Sequence, residues 1–185
     1  RSIKSKSLAE LTELAAAGLH IAYLGLESGN EAVLARMNKG ETVQEIIAAG
    51  QKVRQAGIAL SLTAINGLGG AEHSQEHAID TAKAVSAIRP DYLALLTLRV
   101  YTGTPLADWV EEGSFTLMDP LALARECRLF LEHVDSEGSI FRSNHASNYL
   151  PLAGTLNADR EKLIAQLDAA LEGKRRFRRQ VELGF

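Results

Sequence analysis

The sequence of 185 residues predicts an α/β fold in which parallel strands are joined by crossover helices. Three observations carry that expectation. Apolar runs with strand character recur at a spacing of roughly 35 residues, the length of a right-handed strand–helix–strand unit. A helix with its own start and stop signals precedes each run. Between them there is no Asn-Gly or Asp-Gly pair flanked by two alternating apolar runs, the mark of a hairpin. Asn66-Gly67 follows a strand but leads into a helix.

The elements follow in order. Ser7 and Glu10 have capping-box spacing, and Leu8, Leu11, Leu14 and Ala15 make a helical apolar face that Gly18 ends. His20 to Leu26 then reads as a buried strand. A short helix begins after Asn30 and stops near Gly40. Thr42 and Glu45 repeat the capping box ahead of Val43, Ile46, Ile47 and Val53, and Gly57 stops that helix before a strand from Ile58 to Ile65. Ala78, Ala82, Val85 and Ile88 share a third helical face ending at Pro90, and Tyr92 to Val100 is the third strand. Thr104-Pro105 and Asp119-Pro120 each set a cap before a first-turn proline. The second opens a stripe of Leu123, Ala124, Cys127, Phe130, Leu131 and Val134. Ser139 to Arg142 has the character of a short strand. Asn157 is expected to cap a long last helix with Leu163, Ile164, Leu167, Ala170, Leu171, Phe177 and Val181 facing inward. No linker divides the chain. We read residues 1–185 as a single domain, with half-barrel βα units over 1–110 and a mostly helical extension over 111–185 packed on them.

Hydrophobic content of 46% and charged content of 23% exclude a disordered chain. A net charge of −3 argues against a nucleic-acid grip over the whole surface and leaves room for a local basic patch. One cysteine, Cys127, excludes an internal disulfide and any multi-cysteine metal site, and its place on a helical core stripe suits packing. No apolar run approaches the ~18 residues of a membrane span, and no targeting segment is seen, so a cytoplasmic location without membrane contact is expected. The chain opens at Arg1 rather than a methionine, which leads us to expect further sequence upstream.

In parallel α/β proteins, ligands gather at the carboxyl ends of the strands. Here those ends read Gly25-Leu26-Glu27-Ser28-Gly29-Asn30, Asn66-Gly67-Leu68-Gly69-Gly70 and Arg99-Val100-Tyr101-Thr102-Gly103-Thr104-Pro105. All three are polar, glycine-rich and close to a helix start, where free N–H groups are available.

These segments resemble the radical S-adenosylmethionine (SAM) superfamily. Gly25 to Gly40, with Met37-Asn38-Lys39-Gly40, looks like its fourth-strand region. Ile65 to Gly70 resembles its fifth-strand glycine motif, and Thr102-Gly103-Thr104-Pro105-Leu106 its turn after the sixth strand. The resemblance covers roughly residues 7–110. It implies an α/β fold that is the C-terminal part (strands four to six) of a partial (β/α)6 TIM-like barrel, followed by C-terminal helices. It further implies that the full-length protein cleaves SAM reductively with a [4Fe–4S] cluster and draws on an electron donor such as flavodoxin or ferredoxin. The cluster's cysteine motif after the first strand is absent, so this part of the protein should hold no metal, retain neither cofactor and be inactive alone. The family spans many reactions, and the substrate, small or macromolecular, stays unknown.

Carried over by position, Glu27 and Ser28 fall where polar ribose or methionine contacts occur. Asn66, Gly67 and Leu68 lie along the adenosine through their backbone, and Arg99 and Val100 give backbone contacts to adenine. Asn144, His145 and Asn148, in a polar stretch similar to one that follows the barrel in relatives, are expected on the substrate side. Each position has a plainer reading: Glu27 pairs with a cation or caps a helix, Arg99 forms a salt bridge, and Asn144–Asn148 satisfies its own backbone. The chain departs from the family with Gly69 where many relatives have proline and Ala71 where they have glutamate, and Glu72 stands one place on.

Other readings compete. His73-x-x-Glu76-His77 matches a zinc hydrolase pattern, with two ligands one helical turn apart and a general base between them. Lys174, Arg175, Arg176, Arg178 and Arg179 form a basic band, expected on the last helix, that is compatible with RNA contact or with a solvated helix end. A non-catalytic α/β binding or assembly module remains open, as does self-association through an exposed strand edge.

Overall fold

The computed structural model describes residues 3–183, without the side chain of Gln180. The chain runs α1 (Leu8–Ala16), β1 (Ile21–Glu27), α2 (Glu31–Arg36), α3 (Val43–Gln55), β2 (Ala59–Asn66), α4 (Ser74–Ile88), β3 (Tyr92–Thr97), α5 (Pro105–Glu111), α6 (Pro120–His133), β4 (Ile140–Ser143), β5 (Leu152–Thr155) and α7 (Arg160–Leu171). The strands form one sheet in chain order, β1 to β4 parallel and β5 antiparallel on β4. A parallel sheet whose neighbours follow the chain, with helices on one face, is a segment of a β/α barrel.

Local chemistry sets the boundaries. Both capping boxes form: Ser7 and Glu10 exchange hydrogen bonds at the start of α1, as do Thr42 and Glu45 at α3. The Asn30 side chain accepts from the Val33 N–H to start α2, and Thr104 and Asp119 do the same ahead of α5 and α6. β2 alternates strictly, with Leu60, Leu62 and Ala64 buried against the helices and Ala59, Ser61, Thr63 and Ile65 on the opposite, more open face. Val53, Ile46, Ala82, Val85 and Ile88 cover the buried face, and Phe141, Leu131 and Leu163 extend the same core into the later helices. Arg36 at the end of α2 lies 5.2 Å from the ring centres of both Trp109 and Phe115, which ties α2 to α5 and to the segment after it.

Several expectations are corrected. β3 ends at Thr97 rather than Val100, and Leu98 to Val100 leave the sheet. Arg89, at φ 51, closes α4 before Pro90 is reached. Residues 111–185 carry α6, α7 and, as β4, the expected short strand, and they add a further strand, β5. β5 escaped notice because an eight-residue link (144–151), not a tight turn, joins it to β4. Asn157 does not cap the last helix. It sits at φ 67 and accepts from the Ser136 N–H, and α7 starts after Asp159. α7 stops at Leu171, so Phe177 packs on the core from beyond the helix and Val181 is 83% exposed. The basic band therefore lies past the helix. Arg175 and Arg178 donate to the carbonyls of Pro151, His145 and Asn148, while Arg176 and Arg179 pair with Glu182. Among the described residues no helix is long and apolar enough to cross a membrane.

Candidate functional site

The carboxyl ends of β1, β2 and β3 meet at one rim. At β1 the register breaks between Gly25 and Glu27, and Glu27 takes φ 61, a left-handed conformation uncommon outside glycine. The break turns the Glu27 carboxylate back over Gly25, where it pairs with Lys39 at 3.0 Å. Of the readings open for Glu27, the cation pair is the one seen.

Ser28 is fully buried and turned toward α4. Its Oγ accepts from the Asn30 N–H at 3.0 Å and lies 2.8 Å from His77 Nδ1. His77 Nε2 is 3.0 Å from the Ile65 carbonyl, which can only accept, so Nε2 carries the proton and Nδ1 accepts from the Ser28 hydroxyl. Burial lowers the His77 pKa to about 4 and keeps the ring neutral. One neutral imidazole thus ties the end of β1 to the end of β2.

A carboxylate completes the cluster. Glu126, from α6, accepts the Gly67 N–H at 2.5 Å and bonds Ser74 Oγ at 2.6 Å. Burial raises its pKa to about 7. Its 3.7 Å approach to His77 is not an ion pair, because burial favours the neutral form of both groups. The sequence reading missed Glu126. The signal was a carboxylate one place before Cys127, inside the buried stripe of α6.

α6 also clamps the turn after β2. Asn66 Nδ2 donates to the Leu123 carbonyl at 3.0 Å, so its side chain faces α6. Gly67 has φ 86, and a β-carbon there would lie 2.8 Å from Leu123 Cδ2. Only glycine suits that combination. Above this turn opens a cavity of about 420 Å³, within the size range of small-ligand sites. Gly67, Leu98, Arg99, Val100, Met118 and Tyr149 are among its walls. The structure thus brings Gly67, Arg99 and Val100 together there. Glu27, Ser28, Asn66 and Leu68 are not among the wall residues, and Leu68 is buried beneath the turn.

The polar stretch after β4 divides. Asn148 does not face the site: it is buried, with Nδ2 donating to the Leu95 carbonyl at 2.8 Å and to Ser143 Oγ at 2.5 Å. Asn144 is exposed. His145 accepts from the Ser147 N–H at 3.1 Å and reaches a smaller cavity of about 240 Å³ with Ile65, Leu96 and Arg99.

The zinc reading fails on geometry. Both ring nitrogens of His77 are engaged inside the protein, while His73 and Glu76 are exposed. Among the described residues no group of three or more His, Cys, Asp or Glu side chains is placed to hold a metal. The donors also do not fit an iron–sulfur cluster: Cys127 is buried in the core, and burial pushes its thiol pKa up to about 12.

The chain's fold is similar to that of the archaeal Methanocaldococcus infernus Elp3 with an N-terminal deletion, at a TM-score of 0.63 and 18% identity over 92% of this chain and 40% of that one. It is also similar to methylornithine synthase (PylB), at a TM-score of 0.54 and 18% identity over 87% of this chain and 42% of that one. The chain thus spans about two fifths of each relative's length. No curated protein sequence matches. The family model of the Radical SAM superfamily matches residues 5–85, which take in α1 to most of α4 and the first two strand ends. Over those residues the chain is similar to the radical SAM superfamily.

Proposed function

We propose that this chain forms the adenosyl-binding wall of a radical SAM enzyme. The cavity at the ends of β2 and β3 supports the reading: Gly67 and the Arg99–Val100 segment border a volume suited to a nucleoside, in a chain whose residues 5–85 match this family's model. When bound and reductively cleaved, SAM supplies a hydrogen-abstracting adenosyl group. A [4Fe–4S] cluster serving that chemistry would be held by cysteines outside these residues, since Cys127 is not a ligand.

This chain's own residues bind and position. The backbone of Gly67 and of Arg99 to Val100 approaches the ligand with little side-chain obstruction on the Gly67 side. Ser28 and His77 act through other groups: they hold the ends of β1 and β2 in register and touch no ligand. Glu126 fixes the peptide of Gly67 from beneath. The Glu27–Lys39 pair occupies the rim at β1.

The test is the SAM affinity of full-length Gly67→Ala, measured by equilibrium dialysis. A β-carbon strains the backbone at φ 86 and, 2.8 Å from Leu123 Cδ2, pushes that side chain, which lines the cavity, out of place. At least tenfold weaker binding is expected while chemical denaturation shows the variant folded. Wild-type affinity in a folded Gly67→Ala protein would remove SAM from this cavity.

A further inference from the structure

The sheet face turned away from the helices carries a row of residues that the cofactor reading leaves unused. The register places Gly25, Thr63, Ala94, Arg142 and Ala153 side by side across all five strands. Residues in register on adjacent strands point to the same face, and strands lie ~4.8 Å apart, so the row is roughly 19 Å long. Every member but Arg142 is small. Arg142 is its one charge and its one long side chain.

The rows on either side give the face its shape. Two residues toward the strands' amino ends lie Tyr23, Ser61, Tyr92 and Ile140, with Tyr23 72% and Tyr92 40% exposed. Two residues toward the carboxyl ends lie Ile65 and Leu96, which wall the cavity shared with Arg99 and His145. Thr63 and Ala94 therefore leave a trough between an aromatic floor and the upper cavity, closed at the Gly25 end by the Glu27 carboxylate and Lys39 and bordered on the other side by Arg142.

Arg142 lacks the usual reasons for a cation on a strand. Charges often guard sheet edges, but β4 is paired on both sides. Its Nη1 donates to the Phe141 carbonyl at 2.9 Å, and no carboxylate lies within ion-pair distance among the described residues. Glu27, at the Gly25 end of the row, is already paired with Lys39. A guanidinium has five donors in a planar fork that matches the oxygens of a carboxylate or phosphate.

We propose that Arg142 determines substrate specificity: it binds the carboxylate or phosphate of a small anionic substrate lying in the Thr63–Ala94 trough beside it. This rests on reading the adjoining cavities as a cofactor site, since that is what makes the trough the substrate side. The Tyr23 and Tyr92 rings offer an apolar floor, and the Ser61 and Thr63 hydroxyls lie within the same two rows.

The test uses the full-length protein and three probes of similar size: benzoate, phenyl phosphate and neutral benzamide. Binding is measured by titration calorimetry, with SAM affinity measured in parallel. At least one anion should bind tenfold or more tightly than benzamide, and the better of the two tells carboxylate from phosphate. Arg142→Gln should erase that preference and leave SAM affinity unchanged, and Arg142→Lys should keep part of it. If benzamide matches both anions, if neither anion binds, or if the preference survives Arg142→Gln, the proposal is overturned. Loss of SAM binding in every form of the protein, with the anion preference intact, would instead count against the cofactor reading alone.

Discussion

Gly29→Ala is expected to lower stability by at least about 3 kcal/mol, the largest effect foreseen for any single methyl group in this chain. A β-carbon at Gly29 would lie 2.2 Å from the Asp80 carbonyl oxygen, 2.4 Å from its carbon and 2.6 Å from Thr81 Cα. All three are backbone atoms of α4, so no rotamer change relieves the contact. The helix itself must move, and two bonds move with it: Gly29 N–H to Thr81 Oγ1 and Asn30 Nδ2 to Asp80 Oδ2, both 2.9 Å. Displacing α4 also pulls His77 from Ser28 and Ile65. The glycine of the Gly-Leu-Glu-Ser-Gly strand end is thus explained by a helix backbone packed against it. Urea denaturation checks the effect, and a change below about 1 kcal/mol would show that α4 is not seated as described.

Glu126→Gln is expected to change how stability depends on pH. The native pKa of Glu126 is raised from 4.5 to about 7, so the native state holds a proton that the unfolded state has released. Its stabilising contribution is therefore present below about 4.5 and is lost as pH rises to 7, by about 3 kcal/mol at most. His77 works in the opposite direction. Its native pKa is lowered from 6.5 to about 4, so its contribution is present above 6.5 and is lost as pH falls to 4. Between 4.5 and 6.5 the two slopes oppose each other and nearly cancel. Gln resembles the protonated acid: it keeps an acceptor for the Gly67 N–H and removes the titration. The variant should equal or exceed the native protein in stability at pH 8. Its stability should rise between pH 4 and 6.5, where the native protein's is flatter. Glu126→Ala leaves the buried Gly67 N–H without its acceptor and should be about 2 kcal/mol less stable than Glu126→Gln at any pH. Denaturation midpoints across pH 4–8 measure all three. A Glu126→Gln curve parallel to the native one would mean that the buried carboxylate does not titrate in this range.

Most of the fold was legible because helix boundaries are set by local chemistry. Ser7 with Glu10, Thr42 with Glu45, and the cap–proline pairs at Thr104 and Asp119 all act where their spacing indicates. β4 was legible to within a residue. β5 was not, because Leu152-Ala153-Gly154-Thr155 has little strand character of its own and forms by pairing with β4. The last helix was drawn too long because Phe177 is apolar and packs on the core from a segment anchored by Arg175 and Arg178 through carbonyls distant in sequence.

The site was legible where backbone makes it and less so where side chains do. Gly67, Arg99 and Val100 meet at the cavity because strand ends in a parallel sheet must meet. Ser28 and Asn148 had the right polarity, but their side chains turn inward to His77 and to Leu95 and Ser143. Sequence order alone does not say which side of a strand end a residue takes when a bulge such as that at Glu27 intervenes. Arg142 went unremarked because its significance lies in the small residues beside it on other strands, which only the register reveals.

The measurement that tests the central claim most directly is made on the full-length protein, purified anaerobically and reduced in the presence of SAM. Iron, acid-labile sulfide and 5′-deoxyadenosine are assayed together. About four irons and four sulfides per chain with release of 5′-deoxyadenosine are predicted. Absence of iron, sulfide and SAM cleavage would contradict the account and leave a barrel-derived binding module in its place.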